Sequence, residues 1–311
     1  MKSHPAIILV TYNGWAMTRR CLQGIVSLLG CGFSIVVADN DSTDGTPQNV
    51  VKEFPGVQVL SLGENLGFGT ANNRAVTSSP SADPIILLNN DTEPSPNAIQ
   101  ELLKSFEEAQ KLNLGPCVLT PDIRNSDGTP QCNHYTAPTW GHILFSGLVP
   151  PRLAATWLHG SPKELSENGY WQSDRTSAVC WVMERNLWEQ VGGFDEHIFM
   201  YNEDVDFAWR AHQLGARFLM DPRIPLIHIG QGSRISTYLQ ALQNDISQQY
   251  VFQKRWGWRG WLASKAYQLS RSVVRCILLA GPSLFVHQLR PLVAIHAKLL
   301  KSCCFQPFSQ S

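Results

Sequence analysis

The stretch "IILLNNDTEP" (residues 85–94) changes character in its middle. Four apolar residues, Ile85 to Leu88, suit a short strand covered on both faces. Asn89, Asn90, Asp91 and Thr92 follow without a glycine, and Pro94 stops simple continuation. An ordinary turn needs less oxygen and amide chemistry than this. The same change recurs upstream, where "AIILV" (6–10) runs into "TYNG" and "SIVVA" (34–38) runs into "DNDSTDGT". Helical spacing covers 15–29, with Met17, Cys21, Ile25, Leu28 and Leu29 on one side; a short helix is expected near 46–53 and another across 67–77. With a strand at 57–61 between those two, the alternation predicts right-handed βαβ units, hence an α/β fold on a mainly parallel sheet flanked by helices. Ligands of such sheets bind outside the carboxyl ends of the strands. Thr11–Asn13, Asp39–Asp44 and Asn89–Thr92 all fall there, and their oxygens and amides suit a nucleotide and a hard divalent cation.

The chain of 311 residues, 43% hydrophobic and 16% charged, can bury a substantial core. Its net charge of zero conceals two regions. Residues 1–233 hold 15 Lys/Arg against 24 Asp/Glu, whereas residues 234–311 hold 10 Lys/Arg and a single acid, Asp245. The expected division is a catalytic body at 1–233 and a basic helical extension at 234–311. Within the body, residues 121–175 carry six prolines and scattered aromatics, which reads as a functional loop or small subdomain on the acceptor side. The pattern then resumes with "GGFDE", a helix across 203–214 and strands at 216–220 and 225–229. The eight cysteines show no CxxC pair, the first residues lack a leader pattern, and no apolar run nears the ~20 residues of a membrane span, so a cytoplasmic protein is expected.

Two rival chemistries fail on spacing. "GFGTAN" (67–72) imitates a dinucleotide fingerprint, but Asn72 replaces the third glycine and the match follows the third strand. No GxSxG elbow is present for a hydrolase. Instead "VTYNG", "IVVADNDSTDGT", "ENLGFGTANN", "LLNNDTEP" and "VGGFDEHIFMYNEDVDFAWRAHQLGARF", in that order, resemble the family-two inverting glycosyltransferases, specifically the rhamnosyltransferase-like branch that builds bacterial surface polysaccharides. The resemblance covers about residues 5–235. It implies a GT-A fold, a nucleotide-sugar donor with dTDP-rhamnose as first choice, a glycan or lipid-linked acceptor, and a divalent metal, Mn²⁺ or Mg²⁺.

The resemblance also implies roles. Asn89-Asn90-Asp91 matches an Asn-x-Asp metal motif, making Asp91 a ligand and Asn90 a donor contact; an Asx turn closed by Pro94 is the alternative. Thr11 and Asn13 fall where the family meets the nucleotide, Asp39 where a carboxylate accepts from base or ribose, and Asn73 where sugar or phosphate lies. Asp41 and Asp44 read as turn and cap residues. In "YNEDVDFAWR" the second acid of the "ED" pair, Asp204, is the expected general base, although all three acids also suit a helix N-terminus and Asp206 can pair with Arg210. His228 is either a further metal ligand or a packed histidine. Arg234 either meets the diphosphate or is solvated. Tyr135, Trp140, Trp157, Tyr170 and Trp171 are candidates for stacking on an acceptor sugar. The other reading is a catalytically inactive homologue that binds nucleotide or glycan as an assembly partner.

The extension sets Trp256, Trp258 and Trp261 among Lys254, Arg255 and Arg259, with apolar clusters beyond. That composition suits peripheral docking on a membrane surface; a helical cap or dimer contact is the alternative. No nucleic-acid recognition motif is present.

Overall fold

The computed structural model describes residues 4–112, 115–139, 163–165, 169–230, 237–285 and 290–305. These residues separate into two compact units, one holding a large sheet and its helices, the other three C-terminal helices.

The sheet starts from β1 (Ala6–Thr11), which pairs in parallel with β2 (Ser34–Asp39) on one side and β4 (Ile85–Leu88) on the other; β3 (Gln58–Ser61) continues in parallel beyond β2. Alternate residues of these strands feed two cores. Ile7, Leu9, Ile35 and Val37 face one, with α1 (Trp15–Ile25), Val50 of α2 (Thr46–Glu53) and α4 (Pro96–Lys111). Ala6, Ile8, Val36 and Ala38 face the other, with α3 (Gly67–Thr77), α5 (Arg185–Val191) and α6 (Glu203–Gln213). Burial on both faces is why these strands carry unbroken apolar runs.

Beyond β4 the sheet becomes mixed. β11 (Cys180–Met183) runs antiparallel to both β4 and β6 (Cys117–Arg124). β12 (Arg217–His228) lies parallel to β6 and pairs at its end with β5 (Thr92–Glu93). The two late strands expected from sequence are thus one, interrupted where its register shifts between Asp221 and Pro225. Pro222 and Pro225 cannot donate to a ladder. The buried Asp221 carboxylate fills the break, accepting from Ser105 Oγ at 2.6 Å and from Arg223 Nε and Nη2 at 2.8 and 2.7 Å. The described part of 121–175 is more regular than expected. β7 (His134–Tyr135) pairs with β10 (Arg175–Thr176), and β8 (Lys163–Leu165) with β9 (Tyr170–Ser173), which joins β12.

One glycine is fixed by geometry. Gly67 opens α3 with φ +82°, and Phe68 N donates to Phe199 O at 2.9 Å just beside it. A Cβ at Gly67 would sit 2.1 Å from that same carbonyl oxygen. Gly67→Ala therefore combines left-handed strain with a backbone clash, and should cost about 2–4 kcal/mol in denaturant unfolding. An unchanged midpoint would mean the close approach is not kept.

The second unit comprises α7 (Thr237–Trp256), α8 (Trp258–Phe285) and α9 (Arg290–Phe305). Among the described residues no helix is long and apolar enough to cross a membrane.

Candidate active site

Parallel register puts Thr11 opposite Asp39 at the carboxyl ends of β1 and β2. Asp39 is buried; its Oδ2 accepts from Ser42 N at 3.0 Å, while Oδ1 is buried with no partner. Leaving such an acceptor unsatisfied costs about 1–3 kcal/mol. Asn13, in the left-handed region at φ 49°, ties the two loops together: its Oδ1 accepts from Thr43 N at 2.7 Å and its own N donates to Ser42 Oγ at 2.8 Å. Asp44 behaves as a cap, accepting from Trp15 N at the start of α1 and from Thr46. These bonds hold its carboxyl below the usual carboxylate range although burial opposes them.

Asn90 turns back toward β1, its Nδ2 donating to Thr11 Oγ1 at 3.3 Å and Thr18 Oγ1 at 3.0 Å. Next to it, Asp91 Oδ1 lies 3.2 Å from His228 Nε2. The pairing of β5 with β12 sets this contact, since Thr92 is opposite His228 and Ile229 N donates to Asp91 O at 2.9 Å. His228 Nδ1 lies 2.8 Å from Gln131 Oε1, an amide oxygen that can only accept. With the Gln131 oxygen on this side, Nδ1–H donates to it and Nε2 faces the carboxylate. Asn89 Oδ1 is buried nearby in sequence without a partner.

A second cluster opens α6. Tyr201 and Asn202, just before it, both take positive φ, at 67° and 65°. Asp204 Oδ1 accepts from Val205 N at 2.8 Å, and its Oδ2 lies 3.6 Å from Arg175 Nη1. The Arg175 guanidinium sits 4.2 Å from the centre of the Tyr135 ring, its strand neighbour across the β7–β10 pair. Burial raises the Asp204 carboxyl above its ordinary range, with Arg175 pulling the other way. Glu203 is pushed from 4.5 to about 8, first by burial and then by the Asp204 charge, and its Oε2 has no partner. The two clusters are physically joined. Gln131 touches His228 and Tyr135 holds Arg175, and four residues of chain span at most about 14 Å.

A family model described as "Glycosyl transferase family 2" matches residues 6–192, more than half of the chain. The chain belongs to glycosyl transferase family 2. This glycosyltransferase is 29% identical over 294 residues to the N-acetylglucosaminyl-diphospho-decaprenol L-rhamnosyltransferase of Mycobacterium tuberculosis, covering 86% of this chain and 94% of that one. It is 25% identical over 211 residues to a low-salt glycan biosynthesis hexosyltransferase of Haloferax volcanii, covering 67% of this chain and 61% of the relative. Among solved structures it resembles GalNAc-T7 with UDP, GalNAc and Mn²⁺ (TM-score 0.55, 17% identity), spanning 76% of this chain but 45% of that one. It also resembles the glucosyl-3-phosphoglycerate synthase of M. tuberculosis with Mn²⁺ and UDP (TM-score 0.52, 16% identity, 82% and 81% covered). The fold is that of the GT-A glycosyltransferases.

Other residues of the glycosyltransferase fall away from these clusters. Both ends of the Asn73 amide are used inside the protein: Nδ2 donates to Phe194 O and Glu196 Oε1, and Oδ1 accepts from Phe194 N, all within 3.2 Å. Asn73 thus brackets α3 to the "GGFDE" loop. Asp206 pairs with Arg210 at 2.7 Å, and Arg210 also donates to Val191 O and Gly193 O. Tyr170 is a core residue whose hydroxyl donates to Ser105 O. Trp140, Trp157 and Arg234 lie outside the described residues. Sequence reasoning missed Gln131, Arg175 and Glu203, of which only Glu203, inside the "ED" pair, carried a signal.

The buried Glu203 gives a sign-definite test. A carboxyl raised from 4.5 to about 8 in the fold favours folding fully below pH 4.5, and that contribution is lost as pH rises toward 8. Glu203→Gln mimics the protonated form. Its melting temperature should exceed the wild-type value at pH 8 by the equivalent of roughly 1–3 kcal/mol, and by little at pH 5. A gain that does not change with pH would contradict the assignment.

Proposed function

We propose that this glycosyltransferase moves a sugar, with rhamnose from dTDP-rhamnose as first choice, to a hydroxyl of a lipid-linked glycan, with inversion at the anomeric carbon. The observation that carries the reading is the joining of an Asp91–His228 pair and an Asp204–Arg175 pair by the short segment 131–135. One cluster suits the diphosphate end of a donor and the other a proton acceptor. The choice of rhamnose and of a diphospho-lipid acceptor follows the M. tuberculosis relative, whose coverage extends over nearly its whole length.

The residues fit a divalent cation. Among the described residues no group of three or more His, Cys, Asp or Glu could hold one. A carboxylate and an imidazole, with the orphaned Asn89 Oδ1 close in sequence, nevertheless suit an ion that takes its remaining ligands from phosphate and water. Asp91 and His228 would hold it, with Gln131 orienting the imidazole. The chemistry supplied by bound Mn²⁺ or Mg²⁺ is neutralisation of charge on the leaving diphosphate.

The chain's own groups do the rest. The partnerless Asp39 Oδ1 can accept the N3–H of a thymine or uracil. Asp204 takes the acceptor hydroxyl's proton as that oxygen bonds to the anomeric carbon and the bond to the phosphate oxygen breaks. A single displacement with one base needs no protein nucleophile, so the configuration inverts. Arg175 opposes the effect of burial on Asp204 and so favours the ionised, proton-accepting form.

Incubation with dTDP-rhamnose, UDP-sugars or GDP-sugars, Mn²⁺ and a prenyl-diphosphate glycan should release nucleoside diphosphate. Asp204→Asn should lower that turnover by about 10²–10⁴-fold while leaving nucleoside diphosphate affinity within about twofold. Near-normal turnover of the variant would refute the base. Nucleotide binding without turnover of any donor would favour an inactive assembly partner.

A further inference from the structure

One helix of the C-terminal unit, α8, is inside out. Along α8 from Gly260 to Ile277, the buried positions are Gly260, Ala263, Ser264, Gln268 and Ser272, all small or polar. The exposed positions are Leu262, Ala266, Leu269, Val273 and Ile277, all apolar. Together with exposed Trp258 these follow spacings of three and four, so they form one stripe on one helix face, about 28 Å long. Their exposure is high, from 38% at Val273 to 69% at Ile277.

The polar side that faces inward is anchored by an ion pair and an amide. Arg271 Nη2 meets both oxygens of the buried Asp245 on α7 at 2.6 and 2.8 Å, and Gln268 Nε2 donates to Asp245 O at 2.8 Å. A water-facing helix normally shows the opposite arrangement. Exposed apolar stripes of this size mark a surface that something covers.

Charge decides what covers it. Asp245 is the only acid after Ser233 in the sequence, and Arg271 already neutralises it inside the unit. The extension therefore presents cations outward, and Lys254, Arg255 and Arg259 are exposed at the head of the stripe, with Arg259 over the Trp258 ring at 5.6 Å. A second copy of this face would set like charge against like. A nucleic acid would match the cations and leave the stripe bare. Acyl chains beneath anionic headgroups match both, and Trp prefers that boundary.

We propose that this face of α8 docks on the surface of an anionic lipid bilayer. The helix lies in the plane of the interface with Leu262, Leu269, Val273 and Ile277 against the acyl boundary and Lys254, Arg255 and Arg259 among the headgroups. This binding needs neither donor nor acceptor, so it stands apart from the transferase reading.

The test is co-sedimentation of the full chain with phosphatidylcholine vesicles, with or without phosphatidylglycerol. Wild-type protein should pellet with the anionic vesicles at low salt, less at high salt, and weakly with neutral vesicles. Leu269→Glu/Ile277→Glu changes only exposed positions, so its melting temperature should hold while anionic-vesicle binding falls at least about 10-fold. Equal pelleting of variant and wild type, or no binding by the wild type, would overturn the proposal. So would a wild-type dimer that the variant converts to monomer, since a second copy would then be the occupant.

Discussion

Parallel pairing of β1 with both β2 and β4 is the constraint on which the rest depends. Three neighbouring strands run the same way, so their carboxyl ends share one edge of the sheet. Both faces are buried, which forces the strands to be apolar along their length and confines polar residues to the ends. Thr11, Asp39 and Asn89–Asp91 are brought to that edge by register alone. A one-residue slip would invert the alternation that feeds the two cores, so the core and the site constrain one another.

The later strands complete what the first four begin. Because the end of β12 pairs with β5, His228 arrives beside Asp91, two residues separated by 137 positions in the sequence. The segment from Gln131 to the end of β7 then serves both clusters, giving Gln131 to His228 and Tyr135 to Arg175. Among the buried oxygens without partners, those of Asp39, Asn89 and Glu203 lie at the end of β2, just after β4 and at the start of α6. A fold tolerates such costs where a ligand or a proton completes the bonding.

Much of this was legible in the sequence. Strand and helix periods placed the elements of the first half within a few residues, because βαβ units are local and their polar breaks are sharp. The direction of β11 was not legible: four apolar residues look alike in either orientation, and only its partners β4 and β6 define it. The sequence singled out Asp91, Asp204 and His228, yet their neighbours came from long-range pairing. Arg175 and Gln131 have no characteristic spacing, and nothing local shows that Asn73 spends its amide on Phe194. The basic, Trp-rich extension was visible as composition. Its inverted burial was not, because which side of α8 is covered depends on α7 and α9.

The central claim is that the strand ends form a site for a nucleoside diphosphate and a divalent ion held by Asp91 and His228. Calorimetric titration of dTDP into the protein, with Mn²⁺ and again with EDTA, tests it most directly. The account predicts saturable one-site binding with Mn²⁺ that weakens at least about 10-fold with EDTA, and loss of that difference in Asp91→Asn/His228→Gln. Equal dTDP affinity with and without the ion, or failure to bind any of dTDP, UDP and GDP, would contradict it.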